Sequence, residues 1–547
     1  MVIDFLNNGE LTSREGLETI NQTNLVLIPK KQSPSSAKDF RLISLCNVIY
    51  KIISKVLVNR LKCWLPQIID ENQCAFVPDR MIFDNIIVAH ETLHAMQKRR
   101  HGKHGSLAVK LDMSKAYDRI EWRFLQGVME TMGFSAKWIG LVMNCVMSVS
   151  YSLVVNGKQS GRIIPYRGLH QGDPLSPYLF LLCAEGLSKL LKSATQAGLI
   201  HGIAAARRGP KISHLFFADD SLLFCRVGRE ECNKVVEILD CYEKASGQIV
   251  NTDKSGILFS SNTGDEDKIT AMDILNIHRP INQDIYLGLP LLFGRSKKRA
   301  FRALKEKIGS RIQSWGSKLL SYAGKGLLIQ TIAQAIPLFV MSCFKLPKGL
   351  CHDINMLTAG YWWGDKENKR KIHWKNWDSL CSSKLDGGLG FKDIESFNLA
   401  LLAKQWWRIM HNEDSVSFKV LKGKYFPNSS SKSAIKSPSS SYLWCSLLEG
   451  KKVVEKGACW RVGDGKQIDV WEDAWLDKAP ECKATRPFQT PTPLKVAALI
   501  NTEDISWKVE MVNDLFTESD ASIITSILLS NRNIPDKQIW RDSSIGM

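Results

Sequence analysis

An α+β fold is expected for this chain of 547 residues, and three observations predict it. Strand-like and helix-like segments alternate without a regular βαβ period, which disfavours a doubly wound parallel sheet. Two tight-turn signals, Asn156-Gly157 and the acidic Asp219-Asp220, are each flanked by apolar runs of strand length, the pattern of antiparallel hairpins. An apolar fraction of 44% with 23% charged residues is that of a folded chain, and the length suits about three domains.

The elements follow in order. Residues 25–29 (LVLIP) read as a short strand, followed by a polar loop rich in Lys and Ser. Ile49, Ile52, Ile53, Val56 and Leu57 then recur at helical spacing. SLAVKL, residues 106–111, is a strand that stops at Asp112. Residues 123–147 read as helix, and 151–165 as a hairpin turning at Asn156-Gly157. A helix is expected to start near Pro174, a residue suited to a first turn, and to run through LFLLCAEGLSKLLKSA. ISHLFFADDSLLFC then gives a second hairpin with two carboxylates at its tip.

From Arg295 to Lys325 ten basic residues stand against one acid, Glu306, over an apolar stripe of Phe301, Leu304, Ile308, Ile312 and Trp315. A merely solvated helix face mixes signs, so this bias points to phosphate contact. Beyond Leu350 the texture changes. Twelve of the 16 tryptophans lie between Trp362 and Trp540, which marks a Trp-rich C-terminal region. Gly463-Asp464-Gly465 reads as a hairpin turn, and the serine-rich stretch 427–441 as a linker.

A net charge of +18 and a pI near 9.2 favour a polyanionic partner, nucleic acid ahead of an anionic membrane. The 14 cysteines are scattered without zinc spacing, no secretory signal precedes them, and no apolar run is long enough to span a bilayer. An intracellular, reduced protein with no membrane partner is expected.

Three acids at strand ends or turns carry the chemistry: Asp112, Asp219 and Asp220. Nucleotidyl transfer needs two divalent ions, one activating the attacking hydroxyl and one holding the leaving phosphate. Magnesium takes hard oxygen ligands and keeps several waters, so a few carboxylates plus nucleotide phosphates make a sufficient shell. An Asp-Asp turn alone is weak evidence, since most such turns are solvated tips. Here it stands in an ordered series, LDMSKAYD, RGLHQGDPLSP and FADD. That series resembles the reverse transcriptases of plant non-long-terminal-repeat (long interspersed) retrotransposons, densely over residues 20–290 and more loosely to about 480.

The resemblance implies a right-hand polymerase fold, with fingers and palm over 1–292 and a basic helical thumb over 293–350. A Trp/Gly-rich post-polymerase region (351–426), the linker (427–441) and a C-terminal region (442–547), read as truncated, follow. It implies an RNA-directed DNA polymerase using two Mg2+ ions, or Mn2+, with an RNA template, a DNA primer, the RNA–DNA hybrid and deoxynucleoside triphosphates as partners. Nuclear location is the family's habit.

Residue by residue, LDMSKAYD makes Asp112 a ligand of both metals, with support from the Met113 carbonyl, and puts Tyr117 where an aromatic crowds the sugar 2′ position. FADD makes Asp219 the second shared ligand and Asp220 a carboxylate that tunes the site. Gln171 and Gly172 face the template base and incoming nucleotide. Lys30 and Arg41 hold the triphosphate. Lys254, in SGQIVNTDKSGILF, is a candidate proton donor to pyrophosphate. Gly288, in YLGLPL, lets the primer end approach, and Arg295, Lys297, Lys298 and Arg302 begin the thumb and track the duplex.

The sequence departs from the family at Leu42 (usually proline), Asp79 (usually glycine) and His170 (often arginine). Two other readings stay open. An RNA-dependent RNA polymerase of the same fold is opposed by Ala218 and Tyr117, where RNA makers carry glycine and a small or acidic residue. A truncated or decayed, catalytically inactive nucleic-acid-binding remnant is the other.

Overall fold

In a computed structural model the described residues are 14–281, 284–294, 296–316, 320–365, 371–478, 482–485, 494–501, 503–530, 532 and 534–541. Two compact units are present: Met1–Arg302 with Ile409–Leu443, and Ala303–Arg408 with Trp444–Met547.

In the first unit β1 (Gln22–Pro29) pairs antiparallel with β2 (Phe40–Leu45), setting Ile28 opposite Arg41. The strand expected at 25–29 is thus longer, and the expected polar loop contains a second strand. FRLISL has no period-2 pattern, and the ladder to β1 rather than a buried face makes it a strand. Next comes α1 (Val48–Lys62), capped by Asn47, whose side chain accepts from the Ile49 amide at 3.0 Å. Ile53 and Leu57 are buried as expected, but Tyr50, Val58 and Leu61 complete the buried face while Ile49 and Ile52 face solvent.

After α2 (Ile82–Lys98) and β3 (Ser106–Leu111), the helix expected over 123–147 is two, α3 (Trp122–Thr131) and α4 (Ala136–Met147). Gly133, at φ 80°, ends the first, and the Ser135 hydroxyl caps the second through the Trp138 amide. β4 (Ser150–Val155) and β5 (Lys158–Ile163) form the expected hairpin, and one sheet runs in the order β2-β1-β4-β5. The next helix, α5 (Ser176–Gln196), starts two residues after Pro174, with Pro177 in its first turn. Asp173 bends the chain before it by accepting from the Leu175 amide at 3.1 Å.

The second sheet carries the acids. β6 (His214–Phe217) and β7 (Asp220–Arg226) form the expected hairpin, though its turn is Ala218-Asp219 and Asp220 already opens β7; after α6 (Arg229–Ser246), β8 (Gly256–Phe259) completes an antiparallel order β8-β3-β7-β6. Both faces are covered. Leu107, Val109, Leu111, Leu223 and Cys225 pack with Leu187, Val235 and Tyr242 from α5 and α6. Ala108, Leu222 and Phe224 pack with Val88, Ala89 and Leu93 of α2 and with Tyr286. The period of two along β3 therefore sends Lys110 and Asp112 to the α2 side.

The serine-rich stretch expected as a linker is packed at its end. Ser441 is buried and donates to Glu91 on α2 at 2.5 Å. The Glu91 carboxylate, fully buried, also receives Lys424 and the Tyr425 hydroxyl, both at 2.7 Å. A buried charge demands such partners, and composition cannot show that Glu91 needs them.

In the second unit several of the tryptophans build core. Trp444, Trp471, Trp475 and Trp406 are buried, with Trp406 against Trp444 at 5.7 Å and Trp377 stacked on Phe391 at 5.0 Å. The expected hairpin at Gly463-Asp464-Gly465 is absent, since Ala458–Arg461 pairs with the distant Lys537–Trp540. The two glycine amides instead donate to the Asp536 carboxylate at 2.8 and 2.9 Å. Among the described residues no helix is long and apolar enough to cross a membrane, and the 14 cysteines are free thiols.

Candidate active site

The antiparallel register pairs Leu111 with Ser221 and Lys110 with Leu222. Continued by one residue, it sets Asp112 opposite Asp220, with Asp219 in the turn beside them. Ala218, the first turn residue, has φ 53°, a left-handed position that normally takes glycine. Its amide is held by the buried Gln73 side chain at 3.2 Å, and Gln73 also accepts from the Ala75 amide at 3.0 Å. Asn85 of α2 donates to the Phe216 carbonyl at 2.7 Å, fixing the other strand of the turn.

Asp112 is anchored through its backbone. Its amide donates to the Ser255 hydroxyl at 3.1 Å, and its carbonyl accepts from the Asn251 amide at 2.7 Å. Met113 pairs with Val250, tying the same loop to the other side. The side chain of Asp112 is left to the site.

Burial, then the negative field of Asp219 and that of Asp112, push the Asp220 carboxyl up, and only Lys110 opposes them. Carboxylate charge is therefore concentrated and undercompensated, which a divalent cation relieves. Among the described residues no three His, Cys, Asp or Glu side chains are grouped to hold a metal by themselves. Carboxylate oxygens are hard donors of the kind that suit a divalent cation whose remaining ligands come from outside the protein.

Tyr117 lies flat against Phe180 of α5, with ring centroids 4.6 Å apart and planes 16° apart, which fixes the ring. Burial and the charge of Asp219 raise its hydroxyl pKa, so the ring stands within the field of the acid turn. Its carbonyl accepts from the Leu169 amide at 2.8 Å, joining it to the Gln171-Gly172 turn. Gly172 has φ 123°, and a Cβ there would lie 2.4 Å from the Ser44 carbonyl. Glycine is needed for this contact with β2, made beside the bond from the Ser44 amide to the Gln171 carbonyl at 2.8 Å.

Lys30 and Arg41 are exposed on the same side of the β1–β2 hairpin; burial raises the pKa of Asp118, against the opposing fields of Lys115 and Lys30. Lys254 is exposed in the loop that anchors Asp112. Gly288, at φ 78°, closes a two-residue turn with Leu287, φ 48°, between Ile285–Tyr286 and Leu289–Pro290. Arg295 lies outside the described residues. Lys298 and Arg302 are exposed. Lys297 instead lies half-buried over the rings of Phe293 and Tyr442, at 5.4 and 5.1 Å, and burial lowers its pKa.

Of the departures, Asp79 has φ 63°, so the turn keeps a glycine-like backbone, which aspartate tolerates better than most residues. Leu42 lies on β2, an edge strand. His170 is buried edge-on to Tyr151 at 5.4 Å; burial lowers its pKa, and neither ring nitrogen has a partner among the described residues.

Sequence reasoning missed Gln73, Asn85, Ser255 and Lys110, all of which hold the acid-bearing strands. Lys110 had a signal, since it stands on the acid side of β3 in an otherwise apolar strand. The others act from distant segments and left none.

Comparison with known proteins agrees with this geometry. The family described as "Reverse transcriptase (RNA-dependent DNA polymerase)" matches residues 28–305, just over half of the chain. An uncharacterized mitochondrial protein of Arabidopsis thaliana is 43% identical over 148 residues, 27% of this chain and 96% of that protein. An uncharacterized 149 kDa protein of transposon TX1 from Xenopus laevis is 26% identical over 407 residues, 74% of this chain but 30% of that protein. A retrovirus-related Pol polyprotein from a type-2 retrotransposable element of Drosophila melanogaster is 30% identical over 206 residues, 38% of this chain and 18% of that protein. The chain thus spans under a third of these two transposon proteins. Telomerase from Candida tropicalis with a fragment of telomeric RNA aligns over 74% of this chain and 64% of that chain, at 13% identity and a TM-score of 0.34, too low to read a shared fold from it. The family match over residues 28–305 is enough: the chain belongs to the reverse transcriptase (RNA-dependent DNA polymerase) family.

Proposed function

We propose that this chain is the RNA-directed DNA polymerase of a plant-type, non-long-terminal-repeat retrotransposon, adding deoxynucleotides to a primer 3′-hydroxyl on an RNA template. The observation that carries this reading is that β3 and β7 pair up to Leu111 and Ser221, the residues next to Asp112 and Asp220, so that the charges of Asp219 and Asp112 both act on the Asp220 carboxyl. In this reading Asp112 and Asp219 hold two magnesium ions, with the Met113 carbonyl in support. The ions, when bound, lower the pKa of the attacking hydroxyl and neutralise charge on the phosphate. Asp220 adjusts the negative field of the pair.

The remaining residues bind and orient. Lys30 and Arg41 take the triphosphate from one side of the β1–β2 hairpin, and Lys254 delivers a proton to the leaving pyrophosphate. Gln171 and Gly172 form the floor beneath the nucleotide. Gly288 admits the primer end, while Lys298 and Arg302 contact duplex phosphates, with Arg295 beside them in sequence. Nuclear action accompanies this assignment.

Tyr117 separates this reading from an RNA-dependent RNA polymerase. Its ring, braced by Phe180, supplies a wall against a 2′-hydroxyl. The test is competitive primer extension on RNA with deoxy- and ribonucleotides, using wild type and Tyr117→Val. Wild type is expected to prefer deoxynucleotides, and the variant to raise relative ribonucleotide use by about 10-fold, equivalent to ~1.4 kcal/mol of relieved clash. A wild type that prefers ribonucleotides rules the reading out.

A further inference from the structure

The Ile285–Pro290 hairpin stands beside the acids, and its attachment is the most connected feature near the site that no role above explains. Arg279 directs three N–H groups to three acceptors: Nε to the Ser255 carbonyl at 3.2 Å, Nη2 to the Lys254 carbonyl at 2.9 Å, and Nη1 to Asp284 at 2.6 Å. Ser255 is the residue whose hydroxyl receives the Asp112 amide. Asp284 closes the base of the hairpin, its carbonyl accepting from the Leu291 amide at 2.9 Å.

One guanidinium therefore touches the loop behind Asp112 and the foot of the hairpin at once. A planar fork suits this, where an ammonium serves one direction at a time. Gly256 makes the room, since a Cβ there would fall 2.9 Å from Arg279 Nη2. Lys110 adds a second tether, donating to the Ile285 carbonyl at 2.6 Å. The Arg279–Asp284 pair is too exposed, with side chains 40% and 15% accessible, to matter much as an isolated ion pair. Its meaning lies in what it joins.

We propose that Arg279 is a positioning residue that couples the Lys254 loop, and through Ser255 the backbone of Asp112, to the Ile285–Pro290 hairpin. Resting on the polymerase reading above, this coupling keeps the incoming nucleotide and the primer end in one register. The main chain at Arg279 is held independently. Its carbonyl accepts from the Ile257 amide at 2.9 Å, and the Ile281 amide donates to the Ile257 carbonyl at 2.8 Å. Removing the guanidinium therefore leaves the chain's course in place.

Amide hydrogen exchange on the full chain comes first, because it needs no turnover. In Arg279→Ala the amides of Asp112, Ser255 and Leu291 are expected to exchange faster together, by about 10-fold or more, while Ile257 and Ile281 keep their protection. Faster exchange at the loop alone, at the hairpin alone, or at neither overturns the coupling. If Arg279→Ala does not fold, Arg279→Lys carries the same test, with a smaller joint effect.

Kinetics follow on an RNA template with deoxynucleotides. Arg279→Ala is expected to lower kcat by up to ~100-fold, as a small misplacement of reacting groups does, with template–primer affinity nearly unchanged. Adding Asp284→Ala should change little further, since both act through one link. A folded Arg279→Ala protein with wild-type kcat overturns the proposal. A wild type that extends no primer contradicts the polymerase reading instead, and the exchange result then decides the coupling by itself.

Discussion

Of the hairpins in the first unit that close through two-residue turns, β4–β5 and β6–β7 are built by opposite rules. The β4–β5 hairpin turns through Asn156 and Gly157, at φ 51° and 79°, both exposed, with nothing within 4 Å of a Cβ added at Gly157. Its residues want the turn they adopt. The β6–β7 hairpin turns through Ala218 and Asp219, and at the left-handed first position, φ 53°, it carries alanine, which local turn chemistry does not favour. It is held from outside, by Gln73 on the Ala218 amide and Asn85 on the Phe216 carbonyl. Local chemistry makes the first turn, and tertiary contacts impose the second. Strain of this kind, of order 1–3 kcal/mol per residue, persists only where surroundings over-determine it. The imposed turn is the one that carries the acids.

Exchanging the turn chemistry breaks the comparison most sharply. Ala218→Asn with Asp219→Gly should keep the hairpin and stability while lowering primer extension at least ~1000-fold, about 4 kcal/mol of barrier. Thermal melting and extension assays read the two effects separately. The reverse change, Asn156→Ala with Gly157→Asp, should destabilise the protein and leave extension per folded molecule close to wild type.

Removing the outside support is the next largest change. Gln73→Ala frees the buried Ala75 amide and the half-buried Ala218 amide, and should cost about 2 kcal/mol in urea unfolding. Extension should fall as well, because the turn relaxes. Unchanged stability would mean that Ala218 holds its conformation unaided.

Gly157→Ala puts a Cβ on a residue at φ 79° and should destabilise by about 1 kcal/mol with no change in extension. Smallest of all, Asp79→Gly restores glycine at φ 63° and should stabilise by ~0.5 kcal/mol. Equilibrium unfolding resolves both.

The same contrast explains what the sequence made legible. β3 and both hairpins were readable because apolar period and turn residues agree there, and Asp112, Asp219 and Asp220 fall at strand ends and turns. β2 was not readable, because FRLISL lacks alternation and takes its structure from β1. Gly133 and Ser135 divide a helix that apolar spacing alone makes continuous. The packing of Ser441 and Lys424 on Glu91 joins residues more than 300 positions apart, and no local pattern records it. Gln73, Ser255 and Arg279 escaped notice for the same reason, each being an ordinary polar residue until its partners are seen. Family motifs point to the reacting groups, and geometry finds what holds them.

The central claim is that Asp112, brought opposite Asp220 by the β3–β7 register, is a ligand for the chemistry rather than a solvated strand end. Single-nucleotide incorporation on an RNA template, under single turnover with magnesium, tests it most directly in wild type and Asp112→Asn, with template–primer affinity measured alongside. The asparagine keeps the backbone bonds to Ser255 and Asn251 and removes only the charge. Incorporation is expected to fall at least ~1000-fold with affinity unchanged. An Asp112→Asn protein that incorporates at near wild-type rates contradicts the claim.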